Sequence, residues 1–296
     1  MLPQILIQPT LREQLLQEWR SRMSQSQPER SWYNHQPLEE RKTWYSAVAQ
    51  AYNRVRPRYP QAMVERAIEL AQLPDSARLL EVGCGPGTAT TSFAQFGFSM
   101  VCLEPSPDAY QLARENCKPY PNVEIVNTTF EEWTLEPGYF DAILAATSFH
   151  WVSPEVGYAK AASALRDRGS LILLWNMSLQ PAYEVYQALD TVYQTYAPSL
   201  AGYYSTEKQQ ESLDKFAQIV LNSGQFGDLV SEQMPCEVTY SIEDYLALLG
   251  TYSPYIGLEP QQRQGLFQAL GKELENSCGE KVKLSYLSAF QIARKV

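Results

Sequence analysis

Short apolar runs alternate with amphipathic stretches along residues 61–176. The apolar runs predict five buried strands: Arg78–Val82, Met100–Glu104, Val123–Asn127, Tyr139–Ala146 and Gly169–Trp175. The stretches between them predict helices near residues 88–97, 107–117 and 154–166, and Gln61–Ala71 predicts a helix before the first strand. This alternation predicts a doubly wound, mostly parallel α/β sheet, which binds its ligands at the carboxyl ends of the strands.

The pattern changes on either side of this region. Residues 177–228 contain no clear strand, residues 229–240 predict one, and helices are predicted near 242–250 and 260–276. The alternating segment Lys281–Ala293 predicts a last strand. Before the first strand, the spacing of Leu11, Leu15, Leu16 and Trp19 predicts a short amphipathic helix, and residues 38–53 predict another.

A glycine-rich run joins the first predicted strand to the next helix. Glu81 ends the apolar stretch, and Gly83, Gly85 and Gly87 follow at alternate positions. Glycine lets the backbone adopt positive φ and approach a ligand closely. The run also leads into a helix N-terminus, where free N–H groups point toward a ligand. We therefore predict a ligand-binding turn at residues 83–87.

A second acid follows at the distance expected for a nucleoside site. Glu104 ends the second predicted strand, and a carboxylate there can accept hydrogen bonds from both ribose hydroxyls. Two cofactors are compatible with this arrangement. The dinucleotide fingerprint G-x-G-x-x-G is not met, because the third glycine is one position early. Glu81 would also repel a pyrophosphate, whereas a carboxylate favours a cationic amino acid. The pattern favours S-adenosylmethionine.

The stretch from Glu81 to Gly87 resembles motif I of the class I S-adenosylmethionine-dependent methyltransferases, and Glu104 matches their ribose-binding acid. The chain is similar to the small-molecule members, including the trans-aconitate methyltransferase group. The resemblance implies a Rossmann-like, seven-stranded sheet whose last two strands form an antiparallel hairpin, with a helical cap insertion. It also implies that Thr129 and Phe130 contact the adenine, and that the carbonyls of Ala145 and Ala146 bind the methionine amino group.

Further residues are assigned to the site by the same resemblance. Arg56, in the sequence Tyr52-Asn53-Arg54-Val55-Arg56-Pro57, is expected to bind the methionine carboxylate. His150 is the candidate catalytic base, with a structural role under the cleft as the alternative. The expected substrate pocket consists of five aromatic residues: Tyr45, Tyr52, Trp151, Tyr252 and Tyr255.

The same reasoning divides the chain into four parts. Residues 1–44 are an N-terminal helical extension and residues 45–178 are the S-adenosylmethionine-binding core. Residues 179–280 are a cap insertion that includes the sixth strand, and residues 281–296 are the last strand of the core sheet.

The composition limits the classes of partner that the chain is expected to bind. The chain of 296 residues has a net charge of −9, which disfavours nucleic acid and acidic membrane surfaces. Its five cysteines show no metal-binding spacing, and they are expected to be reduced thiols in a cytoplasmic protein. No run is long enough to span a bilayer, and no signal peptide is recognised.

The sequence thus predicts an S-adenosylmethionine-dependent methyltransferase that acts on a small molecule, at oxygen or a carboxylate, without metal. Two alternatives remain at this point. One is an RNA or protein methyltransferase, which a basic groove would support. The other is a non-catalytic regulator that binds S-adenosylmethionine, which a blocked acceptor pocket would support. The acceptor and the oligomeric state are not predicted.

Overall fold

The computed structural model describes residues 37–296, which are built around one sheet of eight strands. The strands are β1 (Arg78–Val82), β2 (Ser99–Leu103), β3 (Val123–Val126), β4 (Phe140–Ala146), β5 (Leu165–Asn176), β6 (Gln180–Pro181), β7 (Phe226–Ser241) and β8 (Lys281–Lys295). Their order is β3-β2-β1-β4-β5-β8-β6, and β7 also pairs with β8. Strands β1 to β5 are parallel, whereas β8 is antiparallel to β5, β6 and β7.

Helices cover both faces of this sheet, as expected for a doubly wound fold. One face packs against α3 (Gln61–Ala71), α4 (Thr90–Ala94) and α5 (Pro107–Cys117). The other packs against α6 (Pro154–Ala164) and α8 (Thr206–Asn222). Because helices bury both faces, the central strands are almost continuously apolar, and Leu79, Leu80, Ile143 and Leu144 are fully buried.

The antiparallel hairpin β7–β8 extends beyond the rest of the sheet. Residues 288–294 of β8 pair with β5, whose last residue, Asn176, lies opposite Ser288. Residues 281–287 therefore continue past the carboxyl end of β5, where they pair with β7 and, at residues 284 and 285, with β6. This extension provides a platform above the edge at which a doubly wound sheet binds ligands.

The cap is built on this platform. It consists of α7 (Tyr183–Tyr196), α9 (Ile242–Gly250), α10 (Ser253–Ile256) and α11 (Pro260–Cys278). Its apolar core joins Leu189 of α7, Leu248 of α9 and Leu270 of α11 to Leu284 of β8. The same core includes Val55 of α2 (Ala49–Val55), so the cap packs against the segment that precedes the sheet.

Most predicted elements are present, and the differences lie at residues 38–55 and 179–280. The predicted helix at 38–53 is divided into α1 (Leu38–Thr43), a 3₁₀ turn at Ser46–Val48 and α2. The strand predicted at residues 229–240 is β7, which is longer than predicted and pairs with β8 along its length. Helix α8, which is also within residues 179–280, packs on the sheet. The cap helices are thus only part of residues 179–280. The predicted helix at Leu11–Trp19, and most of the predicted extension 1–44, lie outside the described residues.

Among residues 37–296, no helix has both the length and the apolar character needed to cross a bilayer.

Candidate functional site

A deep cleft lies at the carboxyl ends of the first four strands. Its main cavity is lined by Gly83, Gly85 and Pro86 after β1, Glu104–Ser106 after β2, Thr128–Glu131 after β3, and Ala146–Ser148 after β4. With its open mouth, this cavity contains about 940 Å³ of empty space. A side cavity adjoins it and is lined by Arg56, Pro57, Tyr59, Cys84, Thr88, Ala89, Asn176 and Leu179. Five residues line both cavities: Tyr52, Gly83, Gly85, Ala146 and Thr147.

The glycine turn has the backbone geometry that its sequence predicts. Gly83, Gly85 and Gly87 have φ values of +68°, +57° and +85°. A Cβ on Gly83 would lie 2.8 Å from the Cβ of Ser148, so a side chain there would push the β4 loop away. A Cβ on Gly85 would meet no atom within 4 Å, and the residue lines both cavities. Gly83 thus allows two loops to meet, and Gly85 leaves ligand space beside the backbone.

Glu104 connects the glycine turn to the end of β2. Its Oε2 accepts a hydrogen bond from the Gly85 N–H at 2.7 Å, and its Oε1 accepts one from the Ser106 N–H at 2.8 Å. The residue is 6% exposed, and this burial raises the pKa of its carboxyl group to about 7, although the two N–H bonds oppose the shift. A carboxylate has about four acceptor positions, so Glu104 keeps acceptors for the hydroxyls of a ligand in the cleft.

Glu81 occupies a different place from the one predicted. Its side chain is fully buried and lines neither cavity. Its Oε2 accepts a hydrogen bond from Thr90 Oγ1 at 2.6 Å, and burial raises its pKa to about 7. The prediction that this acid faces a cationic ligand group is therefore wrong. Glu81 lies behind the glycine turn, where it connects β1 to α4.

The turn after β3 places Thr129 and Phe130 at the main cavity, as the resemblance implies. Thr129 Oγ1 accepts a hydrogen bond from the Glu132 N–H at 3.1 Å. Phe130 is 3% exposed and stacks on Trp133, with ring centroids 6.4 Å apart. Lys160 of α6 donates hydrogen bonds to the carbonyl oxygens of Glu131 and Trp133. These two hydrogen bonds connect the turn to α6.

Three of the predicted aromatic residues form one wall of the main cavity. Tyr45 makes edge-to-face contacts with Tyr52 and Trp151, at centroid distances of 5.9 Å and 5.4 Å. The hydroxyl groups of Tyr45 and Ser253 are hydrogen bonded at 2.7 Å, which joins this wall to the cap. These aromatic faces suit a sulfonium or another cationic group.

His150 is not part of this wall. It lies in the 3₁₀ turn Phe149–Trp151 but lines neither cavity. Its ring packs against Trp175 at a centroid distance of 5.9 Å, and Trp175 stacks on Phe216 of α8. Burial lowers the pKa of His150 to about 4. The geometry contradicts the prediction of a catalytic base and agrees with the alternative of a structural residue under the cleft.

Arg56 joins the side cavity to the cap. Its Nε donates to Thr251 Oγ1 at 2.8 Å, and its Nη2 donates to the Thr251 carbonyl oxygen at 2.9 Å. Its guanidinium carbon lies 4.8 Å from the ring centroid of Tyr52 and 4.2 Å from that of Tyr252. Because a guanidinium has five N–H donors, Arg56 retains donors for an anionic group in the side cavity.

The two predicted cap tyrosines do not line either cavity. Tyr252 contacts Arg56 and accepts a hydrogen bond from the Leu179 N–H at 3.1 Å, so it lies one layer behind the side cavity. Tyr255 lies within the cap, where its hydroxyl is hydrogen bonded to that of Tyr193 at 2.7 Å. The prediction that both tyrosines face the substrate is wrong, because the Tyr252 ring packs on Arg56 and the Tyr255 ring packs among the cap helices.

Some lining residues were not predicted. Leu38, Arg41 and Lys42 of α1 reach the main cavity, and Arg41 donates to the Trp151 carbonyl oxygen and pairs with Glu131 at 3.4 Å. Helix α1 lies within the helix predicted at residues 38–53, but it carries no motif, so no local signal placed it at the site. Thr147 was also missed, although it follows Ala146 directly, because its backbone conformation depends on contacts with distant residues.

Comparisons with known proteins agree with this geometry. Residues 79–169 match the family model of a methyltransferase domain. The chain is 31% identical to an uncharacterized methyltransferase of Mycobacterium tuberculosis over 132 residues, which cover 45% of this chain and 51% of that protein. It is 26% identical to a ubiquinone biosynthesis O-methyltransferase of Methylocella silvestris over 144 residues, 44% of this chain and 56% of that one. The chain spans about half the length of these curated relatives.

The fold is shared with a solved structure, that of a putative type II methyltransferase from Anaeromyxobacter dehalogenans. The TM-score is 0.60 at 20% identity, and the alignment covers 81% of this chain and 97% of that one.

Proposed function

We propose that this chain, whose residues 79–169 match the family model of a methyltransferase domain, is a class I methyltransferase that transfers a methyl group from S-adenosylmethionine to a small-molecule acceptor. The observation that carries the proposal is the convergence of four strand-end loops on one cleft, in which the Gly85 nitrogen and a Glu104 carboxylate oxygen are 2.7 Å apart. This arrangement combines close backbone approach with a ribose-binding acid.

The residues present fit the cofactor along its length. The ribose is assigned to Glu104 and the adenine to the turn at Thr129 and Phe130, both at the main cavity. The amino-acid part is assigned to the side cavity, where α4 begins beyond Thr88 and Ala89 and where Arg56 retains free donors. These assignments follow the order of the cofactor's groups, since Gly85 and Ala146 line the passage from one cavity to the other.

The proposed chemistry is a direct displacement. The bound cofactor supplies an electrophilic methyl group on a sulfonium. Glu104 holds the ribose and Arg56 holds the amino-acid carboxylate, on either side of the sulfonium, which fixes the direction in which that methyl group points. Tyr45, Tyr52 and Trp151 enclose the adjacent space and exclude water from it. Since His150 lies outside the cleft, the acceptor is proposed to present a nucleophile that needs no strong protein base.

An oxygen acceptor agrees best with these features. A carboxylate or an acidic hydroxyl is nucleophilic without a strong base, and the aromatic wall suits a partly apolar molecule. Two similar proteins are named as O-methyltransferases, for ubiquinone biosynthesis and for magnesium-protoporphyrin. From these two proteins, we transfer to this chain only the proposed reaction class, which is O-methylation of a small molecule.

Isothermal calorimetry with S-adenosylhomocysteine and NAD tests the cofactor assignment. We expect S-adenosylhomocysteine to bind and NAD not to bind, because the glycine spacing departs from the dinucleotide fingerprint that places a pyrophosphate on the helix N-terminus. Preferential binding of NAD would end the proposal. A metabolite screen with methyl-labelled S-adenosylmethionine then tests the acceptor class. Labelled product that survives as a methyl ester or ether supports O-methylation, whereas label on nitrogen or carbon contradicts it.

A further inference from the structure

One short segment crosses the main cavity from one side to the other. Leu38, Arg41 and Lys42 of α1 line this cavity. Arg41 donates from Nη1 to the Trp151 carbonyl oxygen, in the loop after β4, and its Nη2 pairs with Glu131, in the turn after β3. Strands β3 and β4 are separated in the sheet by β2 and β1, which is a distance of about 14 Å. One guanidinium therefore links the two outermost loops of the cleft.

Residues 38–45, which we call the strap, have further polar attachments. Lys42 Nζ pairs with Glu132 Oε1 of the turn after β3 at 2.8 Å. The hydroxyl groups of Tyr45 and Ser253 are hydrogen bonded, so the strap also reaches the cap. The acids that pair with Arg41 and Lys42 belong to the turn to which we assign the adenine. The strap is thus attached to the part of the site that the cofactor is proposed to occupy.

The strap is held closed by contacts that are individually weak. Within the described part of the chain, residues 37–48 include no buried side chain, whereas the next residue, Ala49, is 2% exposed. Helix α1 has six residues, and an isolated helix of that length is unstable in water. The partly exposed pair of Lys42 with Glu132 is worth about 0–1 kcal/mol. Opening the strap therefore requires little free energy compared with unfolding an element of the core.

The chain that follows the strap is anchored by apolar contacts. Ala49 of α2 packs against Ala109 and Leu112 of α5, and Val55 at the other end of α2 belongs to the cap core. The 3₁₀ turn Ser46–Val48 lies between the strap and α2. A short 3₁₀ stretch within a helical segment often marks a hinge. The strap can thus move about this turn while α2 stays in place.

We propose that the strap closes the main cavity, and that S-adenosylmethionine and its product enter and leave when Arg41 and Lys42 release the turn after β3. The proposal rests on the proposed function, because it concerns the ligand assigned to this cavity. Opening breaks ion pairs, so salt favours it. Tyr45 belongs to the strap, so opening also removes one ring of the aromatic wall. The acceptor pocket is therefore complete only after the strap has closed over the cofactor.

Stopped-flow tryptophan fluorescence with S-adenosylhomocysteine tests this role of the strap. For Arg41→Ala, we expect the association and dissociation rate constants both to rise about tenfold, because hydrogen bonds from a charged group to two loops are lost. Lys42→Ala should raise both about threefold, as expected for a partly exposed pair. A residue that merely contacts the ligand would change dissociation alone. An unchanged association rate constant in Arg41→Ala would therefore overturn the proposal.

Two comparisons control for effects that do not involve the strap. Arg54→Ala removes an exposed arginine of α2 that pairs with Asp244 of the cap, and it should leave both rate constants unchanged. Raising NaCl from about 0.05 M to about 0.5 M should increase both rate constants of the wild-type protein, because the ion pairs are screened. The double variant Arg41→Ala/Lys42→Ala should not respond. Equal salt responses of the two proteins would contradict the proposal.

Hydrogen exchange of the ligand-free protein tests the strap without the cofactor. The backbone amides of residues 38–45 should exchange faster than those of residues 49–55, and salt should accelerate only the first group. Equal exchange in the two segments would overturn the hinge at Ser46–Val48. Failure of the wild-type protein to bind S-adenosylhomocysteine would instead contradict the proposed function, and the exchange data would still decide whether the strap opens.

Discussion

The two sides of the cleft are constructed differently. On the cofactor side, each wall is the loop that follows one parallel strand, and the key contacts are local or between neighbouring strands, such as the Gly85–Glu104 bond. On the cap side, contacts join segments about two hundred residues apart, such as Arg56 with Thr251 and Tyr45 with Ser253. The cofactor side is therefore fixed by the sheet, whereas the cap side depends on the assembly of α7, α9 and α11 above it.

Because of this difference, some residues of the cleft are linked only to the sheet, whereas others are also linked to the cap. Glu104 contacts the sheet and the cleft but not the cap, while Arg56 contacts the cap and the side cavity. Substitution of Glu104 should therefore change the affinity for the cofactor. Substitution of Arg56 should change both this affinity and the order of the cap. Elements that cover a cleft and pack less firmly than the central sheet are also those that exchange amide hydrogens sooner.

The largest effect is expected for Glu104→Ala. Loss of the carboxylate removes two charge-assisted hydrogen bonds to ribose, so the affinity for S-adenosylhomocysteine should fall at least tenfold. Calorimetry measures this change, and Glu124→Ala, at an exposed acid of β3, is the control that should retain the affinity. An unchanged affinity in Glu104→Ala would show that the cofactor side has been assigned to the wrong acid.

An intermediate effect is expected for Arg56→Ala. It removes two hydrogen bonds to Thr251 and two cation–π contacts, which should lower the free energy of unfolding by about 1–3 kcal/mol and increase hydrogen exchange in residues 242–256. Arg54→Ala is a matched control, because its exposed pair with Asp244 also joins α2 to the cap but is worth about 0–1 kcal/mol. Equal effects of the two substitutions would show that Arg56 does not hold the cap.

The smallest effect on binding is expected for Glu81→Gln. Its comparison with Glu104→Ala tests which of the two acids contacts the cofactor. Since Glu81 lines neither cavity, the affinity for S-adenosylhomocysteine should stay within about threefold of wild type. Burial raises its pKa to about 7, so its contribution to stability is complete below about pH 4.5 and is lost as the pH rises through 7.

Denaturant unfolding between about pH 4.5 and pH 8 checks the second part of this prediction. Glu81→Gln should lose less stability than wild type over that range, because the amide does not ionise. A fall in affinity as large as that of Glu104→Ala would place Glu81 in the cofactor site after all.

The residues of the cofactor side illustrate how much of the site is predictable. Gly83, Gly85, Glu104, Thr129, Phe130 and Ala146 line the cleft at the positions that the motifs indicate, whereas Gly87 lines neither cavity. The match of residues 79–169 to a methyltransferase domain agrees with the family resemblance. Glu81 was placed incorrectly, because side chains alternate along a strand and only one of the two faces meets the ligand. The motif identified the strand but did not show that the Glu81 side chain points to the sheet face covered by α4.

The cap shows the limit of the same reasoning. Loss of strand patterning after Trp175 predicted helices there, and α7, α9 and α11 are present. Their aromatic density did not reveal that Tyr255 pairs with Tyr193 inside the cap, or that Tyr252 packs on Arg56. Pairing between helices depends on which faces meet in three dimensions, and a hydrophobic period alone does not specify the partner.

The sequence by itself determined the sheet, the glycine turn and the acid at Glu104, because each follows from spacing within one strand–turn–helix unit. Only the tertiary structure decided the backbone conformation of Thr147, the position of His150 outside the cleft and the attachment of Arg56 to Thr251. The physical reason is that these features require contacts between elements far apart in the chain. Such contacts are set by packing around the completed sheet rather than by local residue preference.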